Sequence, residues 1–339
     1  MGDSAIGSQS EDSREDNGFA HESVGASGLY SRASFAARSF LQQIENLPRL
    51  GALSVAEERA RMRSGQTATS ADYPIEIEPY QTTACTVYLL RPLGVGRRAP
   101  IMFFVHGGGW TLGDLDTHMK LVCELAVRAR CVVAFIDYPR APEHVFPAPL
   151  EASITAFEEV LESSEALGLD RNRFAIGGDS AGGNLTAALI LSAIERKLPL
   201  PARQILLYPA TDRNGSTPSY HEFRDNPNLS QATMEWFWDN YLPDKSLGAD
   251  PRVSPLHASD KALAQFPPTL LVTCEYDVLR DEGEDFAARL IRAGVDVTAV
   301  RWLGSLHGFL VNESLSASTC AQACIDMVAQ YMRRGFEGD

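Results

Sequence analysis

The chain has 339 residues, of which 45% are hydrophobic and 22% charged, and its formal net charge is −14. This length and composition are ordinary for a globular protein with one large domain or two. The acidic balance argues against DNA, RNA or an anionic membrane as partner, because those partners need a basic surface. No segment reaches the roughly 18 apolar residues of a membrane span.

The first 27 residues differ in composition from the rest of the chain. They contain six acidic residues against one arginine, so they carry −5 of the net charge. This Ser/Gly-rich segment has too little apolar content to bury and is predicted to be disordered. It also lacks the basic start and apolar stretch of a secretory signal. Together with six scattered cysteines that form no CxxC pair, this favours a cytoplasmic protein with reduced thiols.

Residues 28–339 are predicted to form a single α/β domain. Helices are expected at 29–50 and 54–64, the second starting at a capping-box pattern, Ser54 and Glu57. From residue 85 onward, short apolar runs alternate with helical periodicity. The predicted strands are 85–90, 101–105, 131–136, 174–176, 204–207, 269–273 and 297–302. The predicted helices are 117–129, 150–167, 181–196, 281–293 and 316–333. This alternation predicts a mostly parallel sheet covered by helices on both faces.

One long segment, between residues 207 and 269, interrupts the alternation. It contains a predicted helix near 231–241 that is rich in aromatic residues. Long excursions between core strands are commonly functional. The segment is therefore predicted to form a lid or cap at one end of the sheet.

The sequence GGDSAGG at 177–183 contains the pattern G-x-S-x-G around Ser180. The pattern is weak alone, but here it follows a predicted strand and opens a predicted helix. That context is the one a nucleophile elbow requires, in which a tight strand–turn–helix bend exposes the serine hydroxyl. Small residues on both sides allow the strand and the helix to approach closely. Ser180 is therefore the predicted nucleophile.

A serine nucleophile needs a base and an orienting carboxylate, which follow it along the chain in this type of fold. His307 lies in a loop directly after the last predicted strand, whereas His257 is interpreted as a structural polar contact. Asp277 follows the strand 269–273 and is the preferred carboxylate. Glu275 and Asp281 remain alternatives, although Asp281 also fits the role of a helix cap.

The sequence HGGGW at 106–110 follows an apolar run and places three glycines in succession. Acyl transfer develops an oxyanion, and backbone N–H groups stabilise it by roughly 3 kcal/mol each. Gly108, Gly109 and Ala181 are the predicted donors, with glycine needed because a Cβ would obstruct the substrate carbonyl. His106 is predicted to brace this loop.

These motifs resemble the hormone-sensitive-lipase-like branch of the α/β-hydrolases. The matching stretches are HGGGW with TLGDLDTH at 106–118, APEH at 141–144, GGDSAGGNL at 177–185, LLYPATD at 206–212, DPRVSPL at 250–256, DVLRDEG at 277–283 and HGF at 307–309. The resemblance covers roughly residue 47 to the C-terminus. It departs at DYPRAPEH, where the family usually has DYRLAPEH.

The resemblance implies an α/β-hydrolase fold, a carboxylesterase mechanism without cofactor or metal, and a cap formed by about 28–70 and about 210–250. We expect a small-molecule ester of short to medium acyl chain as substrate, and a homodimer is reasonable for the family. The alternatives are an amide or formamide hydrolase, a lactonase or esterase for one metabolite, and a non-catalytic ligand receptor. The candidate substrate-pocket residues are Trp110, Tyr208, Met234, Phe237, Leu306 and Phe309.

Overall fold

A computed structural model describes residues 28–337. Its centre is an eight-stranded sheet in the order β1-β2-β4-β3-β5-β6-β7-β8. The strands are β1 Ile75–Gln81, β2 Thr86–Pro92, β3 Ala99–Val105, β4 Val132–Asp137, β5 Leu169–Asp179, β6 Arg203–Leu207, β7 Thr269–Tyr276 and β8 Val297–Leu306. β2 pairs antiparallel with both β1 and β4, and all other pairs are parallel. The predicted fold class is confirmed.

Helices separate the strands along the chain. They are α1 Phe35–Ile44, α2 Val55–Ser64, α3 Leu115–Ala129, α4 Ala148–Glu162, α5 Ala181–Arg196, α6 Pro218–Glu222, α7 Gln231–Tyr241, α8 Asp260–Leu263, α9 Arg280–Arg292, α10 Glu313–Ser316 and α11 Thr319–Glu337. The predicted capping box of α2 is present, because the Ser54 hydroxyl accepts from the Glu57 N–H and the Glu57 carboxylate from the Ser54 N–H.

The sequence prediction missed strand β1 and misjudged several bounds. β1 reads IEIEPYQ, and no residue of this edge strand is fully buried. Its two alternating isoleucines were the available signal, but they are too few to separate an edge strand from a loop. The predicted helix 29–50 is wrong in extent, because α1 covers only ten residues. The helix expected to reach residue 167 ends at Glu162, and β5 begins earlier than expected, at Leu169.

The middle of the sheet forms the core. The side chains of residues 101–105 in β3 and 132–136 in β4 are completely buried, as expected for parallel strands covered on both faces. The carboxyl ends of parallel strands lie at the same edge of a sheet, where ligands bind in such folds. The residues that directly follow five of these strands are His106, Ser180, Tyr208, Asp277 and His307.

Two segments far apart in sequence meet near α7. The Thr233 hydroxyl donates a 3.2 Å hydrogen bond to the Leu50 carbonyl, and a Cβ on Gly51 would lie 3.0 Å from the Trp236 ring. Within residues 28–337, no helix is both long and apolar enough to cross a bilayer. The predicted disordered segment, 1–27, lies outside the described residues.

Candidate active site

Ser180 occupies a sharp turn between β5 and α5. Its φ of 54° lies in the left-handed region that non-glycine residues rarely adopt. A Cβ on Gly178 would lie 2.3 Å from the Val105 carbonyl oxygen, and one on Gly182 would lie 2.0 Å from the same atom. Small residues are therefore required on both sides of Ser180, as the sequence predicts. The turn has the geometry of a nucleophile elbow.

The structure brings Ser180, His307 and Asp277 together in a hydrogen-bonded chain. His307 Nε2 lies 2.9 Å from Ser180 Oγ, and His307 Nδ1 lies 2.7 Å from Asp277 Oδ2. Asp277 is completely buried, and its Oδ1 accepts the Leu279 N–H at 3.0 Å. With Nδ1 donating to the carboxylate, Nε2 is the nitrogen available to accept the serine proton.

The rival residues are engaged elsewhere. Glu275 accepts the Gly304 N–H at 2.6 Å. Asp281 accepts the Ser219 N–H at 2.8 Å and pairs with Arg280. The expectation that Asp281 caps a helix is wrong, because α9 begins one residue earlier and Asp281 lies within its first turn.

His257 was expected to make a structural contact and does so. Its Nε2 lies 3.0 Å from Asp212 Oδ1. Asn184, on α5, donates to the carbonyl oxygens of Ala210 and Val253 at 3.0 and 2.8 Å. These contacts hold the chain after β6 against α5.

The glycine loop after β3 presents free N–H groups beside the elbow. The N–H of Gly107 donates to Asp179 Oδ1 at 2.8 Å. By contrast, the N–H groups of Gly108, Gly109 and Ala181 donate to no described residue. Unpaired backbone donors are rare in buried sites. These three are therefore available to a substrate oxygen.

The structure gives a different reason for the glycines than the predicted obstruction of a substrate. Gly108 and Gly109 have φ angles of 103° and 58°, which glycine adopts without strain. A Cβ on Gly108 would lie 2.6 Å from the Leu112 backbone, and one on Gly109 would lie 2.0 Å from the Phe237 ring. Backbone conformation and close packing therefore exclude side chains before any substrate arrives.

His106 has the surroundings expected of a bracing residue. Its Nδ1–H donates to the Gly107 carbonyl at 2.8 Å, and its ring stacks on that of Tyr138 with centroids 4.2 Å apart. The Tyr138 hydroxyl donates to the His106 carbonyl at 2.8 Å. Burial lowers the pKa of His106 to about 3, so the ring is neutral near pH 7.

Asp179 is a site residue that the sequence analysis missed. It is buried beside Ser180 and, besides holding Gly107, lies 3.3 Å from His118 Nε2. Burial acts to raise the pKa of Asp179, but the neighbouring His118 ring and the hydrogen bond from the Gly107 N–H outweigh it and lower the pKa. An acidic residue directly before the nucleophile, next to a glycine loop, was the available signal.

All six candidate pocket residues are buried, and their surroundings differ. Tyr208 packs between His307 and Phe309, with its ring centroid 5.0 Å from that of His307 and 6.0 Å from that of Phe309. Phe237 lies directly against Gly109. Met234 and Leu306 are also buried.

Trp110 is enclosed by other aromatic rings. Its ring centroid lies 4.2 Å from that of Trp238 and 4.5 Å from that of Tyr241, and the residue is completely buried. Trp110 therefore joins the glycine loop to α7, in contrast to Tyr208 and Phe237, which border the site.

Comparison with known proteins agrees with this geometry. Residues 102–311 match a family model described as the alpha/beta hydrolase fold. The chain belongs to the α/β-hydrolase family, and the resemblance to its hormone-sensitive-lipase-like branch is confirmed.

Relatives and solved structures point to one class of enzyme. The carboxylesterase NlhH of Mycobacterium tuberculosis is 34% identical over 85% of this chain and 85% of its own. An ethyl acetate hydrolase from Pseudomonas putida is 35% identical over 62% of this chain and 65% of its own. The crystal structure of a thermostable esterase from Pseudomonas putida superposes with a TM-score of 0.86 at 33% identity, covering 91% of this chain and 99% of that one. The predicted enzyme class, carboxylic ester hydrolase, is confirmed.

Proposed function

We propose that Ser180, His307 and Asp277 form the catalytic triad of this esterase. The hydrogen-bonded chain from Asp277 through His307 to Ser180 Oγ carries this proposal. His307 Nε2 takes the serine proton as Oγ attacks the ester carbonyl carbon. Asp277 orients the ring and stabilises the imidazolium that forms.

Completion of the reaction uses the same groups. His307 gives its proton to the leaving alcohol as the ester C–O bond breaks, which leaves an acyl group on Ser180. Water then loses a proton to His307 and attacks the acyl carbon. The carboxylic acid departs and Ser180 regains its proton.

We propose that the N–H groups of Gly108, Gly109 and Ala181 bind the oxyanion of both tetrahedral intermediates. The absence of any other acceptor for them among the described residues supports this role. The Gly107–Asp179 hydrogen bond holds the loop before the substrate arrives. Donors fixed in advance need no reorganisation during the reaction.

We propose short- to medium-chain esters as substrates, with an acyl site bordered by Tyr208 and Phe237. Phe237 occupies the space directly beside Gly109, which limits the room next to a bound carbonyl. The name of the Pseudomonas ethyl acetate hydrolase is consistent with a small ester. Met234, Leu306 and Phe309 contribute to the wall behind these two rings, whereas Trp110 packs between Trp238 and Tyr241.

We further propose that residues 28–70 and 210–250 form a cap over this site. The Thr233–Leu50 hydrogen bond and the Gly51–Trp236 contact join the two segments. The contacts of Phe237 with Gly109 and of Trp238 with Trp110 join α7 to the glycine loop.

Initial rates on p-nitrophenyl esters from acetate to palmitate test the proposed function. We expect rates that peak at short or medium chains and are abolished by Ser180→Ala. Ser192→Ala is the control and should leave the rates unchanged, because Ser192 is a buried serine in the helix that follows Ser180. Initial rates near zero on every ester of this series, measured with folded wild-type protein, would contradict the general esterase activity. Amide and lactone substrates would then be tested next.

A cytoplasmic location and a homodimer stay predictions. All six cysteines lie in the described range and none forms a disulfide, which supports a reducing compartment. Light scattering coupled to size exclusion measures the oligomeric state.

A further inference from the structure

Helix α2 is attached to the domain mainly by polar contacts. Its sequence is VAEERARMRS, and its only buried residue is Glu58. Glu58 Oε1 accepts the Gly51 N–H at 2.8 Å and therefore serves the preceding turn. A surface helix normally docks through an apolar stripe. Of the apolar side chains of α2, only Met62 packs against the core, and it is only partly buried, so polar contacts largely determine where the helix lies.

Arg59 makes the principal contacts of α2 with the site. Its Nε donates to the Thr111 carbonyl at 2.9 Å, and one terminal nitrogen donates to the Ala141 carbonyl at 2.9 Å. Both terminal nitrogens also bind the Glu143 carboxylate, at 2.8 and 2.7 Å. The planar guanidinium thus joins two loops that lie far apart in sequence.

These two loops hold the oxyanion glycines. The N–H groups of Thr111 and Leu112 donate to the Gly108 carbonyl at 3.2 and 2.7 Å, and the Ala141 N–H donates to the Trp110 carbonyl at 2.9 Å. Arg59 binds the carbonyls of Thr111 and Ala141, the same residues that make this turn. Arg59 is therefore joined to the turn that carries the Gly108 and Gly109 N–H groups, although it lies in a different segment of the chain.

A second arginine one helical turn along strengthens the attachment. The Nε of Arg63 donates to Asp114 Oδ2 at 2.5 Å, and Asp114 caps α3 by accepting the Thr117 N–H at 3.0 Å. Arg140, at the position where the chain departs from the family pattern, donates to the Gly113 carbonyl. Three residues that follow the glycines are thus each bound by an arginine. Thr111 is bound by Arg59, Gly113 by Arg140 and Asp114 by Arg63.

The residues after α2 reach the opposite side of the site. The Gln66 side chain donates to the Val311 carbonyl at 3.5 Å, and the Thr67 hydroxyl donates to Glu313 at 2.9 Å. The Val311 N–H in turn donates to the carbonyl of Gly308, which follows His307. Helix α2 and its following turn therefore connect the glycine loop with the histidine loop.

We propose that Arg59 is a positioning residue. By binding α2 to the loops of Thr111 and Ala141, it holds the oxyanion N–H groups in their orientation. The inference rests on the proposed triad mechanism and adds to it a residue remote from the reacting atoms. Lysine cannot replace it fully, because one ammonium group cannot reproduce a planar fork that binds two carbonyls and a carboxylate. The expected defect lies in transition-state stabilisation.

The test compares Arg59→Met and Arg59→Lys with the wild type on p-nitrophenyl acetate. Since misplacement of a catalytic group by about 1 Å can cost roughly a hundredfold, we expect kcat to fall roughly tenfold to a hundredfold in Arg59→Met, with KM nearly unchanged. Arg59→Lys should be intermediate. Arg196→Met is the matched control, because Arg196 pairs with the half-exposed Glu151 away from the site.

Binding of phenylboronic acid provides a readout independent of turnover. The boronate forms a tetrahedral anionic adduct with Ser180 that needs the oxyanion donors, and tryptophan fluorescence can report its formation. Its dissociation constant should rise in Arg59→Met by the same factor as kcat falls.

Wild-type kcat and boronate affinity in Arg59→Met would overturn the proposal. So would a lower Tm with unchanged kcat per folded molecule. If Arg59→Met does not fold, the same outcomes in Arg59→Lys decide. Failure of the wild type to hydrolyse any ester would instead count against the proposed function.

Discussion

The ring of Phe237 fills the space that a side chain on Gly109 would need, since a Cβ there would lie 2.0 Å from Phe237 Cδ1. Phe237 belongs to the long insertion after β6, and Gly109 belongs to the loop after β3. The insertion therefore restricts which residue the glycine loop can carry at position 109. The packing of Phe237 thus bears directly on a residue whose N–H is a proposed oxyanion donor.

Gly109→Ala should lower kcat/KM by roughly a hundredfold or more, because the N–H of residue 109 would be displaced from the oxyanion. The cause is both the clash with Phe237 and the φ of 58°. Adding Phe237→Ala to Gly109→Ala should restore part of the loss. Steady-state kinetics measure both variants.

Gly94→Ala is the control for backbone strain alone. Gly94 has a φ of 85° with open space around it, so its replacement should reduce stability by about 1 kcal/mol and leave kcat unchanged. An active Gly109→Ala enzyme would contradict the assignment of that N–H to the oxyanion.

Asp277→Asn should reduce kcat by roughly 10⁴-fold while the fold is retained, because asparagine favours the wrong tautomer of His307. Glu275→Gln and Asp281→Asn remove the rival carboxylates, which bind Gly304 and Ser219 instead. Both should keep kcat within about tenfold of the wild type. Strong activity in Asp277→Asn, together with its loss in either rival variant, would reassign the triad carboxylate.

His106 should make the free energy of unfolding depend on pH under mildly acidic conditions. Its pKa is about 3 in the folded protein and about 6.5 when unfolded. Between these values the unfolded chain binds a proton that the folded chain does not, so stability falls as pH decreases. One proton corresponds to about 1.4 kcal/mol per pH unit.

Urea titrations of the wild type and of His106→Asn between about pH 4 and 6 measure this slope. The variant should have a slope smaller by about one proton. Equal slopes would mean that His106 becomes protonated inside the folded protein.

Trp110→Phe should reduce stability by about 1–2 kcal/mol and leave the acyl-chain preference unchanged, because Trp110 packs between Trp238 and Tyr241. Phe237→Leu is the matched comparison. Since Phe237 borders Gly109, its reduction should shift the preference towards longer acyl chains. A changed preference in Trp110→Phe would make Trp110 a pocket residue after all.

Local patterns in the sequence were enough to select the candidate nucleophile and the glycine loop. A strand, a turn of small residues around Ser180 and a helix follow one another without interruption, so this motif can be recognised from neighbours in sequence. The same holds for HGGGW after β3, although the approach of Val105 to the elbow and of Phe237 to Gly109 is a tertiary contact. The chain order of serine, acid and histidine depends only on topology, so His307 could be selected before any distance was known.

Only the tertiary structure decided which groups meet across the strand ends. Asp277 and Glu275 are two residues apart, and their roles differ because one faces His307 and the other faces Gly304. The contacts of Phe237 with Gly109 and of Arg59 with Thr111 and Ala141 join segments distant in sequence. Periodicity and motifs report on neighbouring residues, whereas such contacts depend on how whole helices and strands are placed relative to one another.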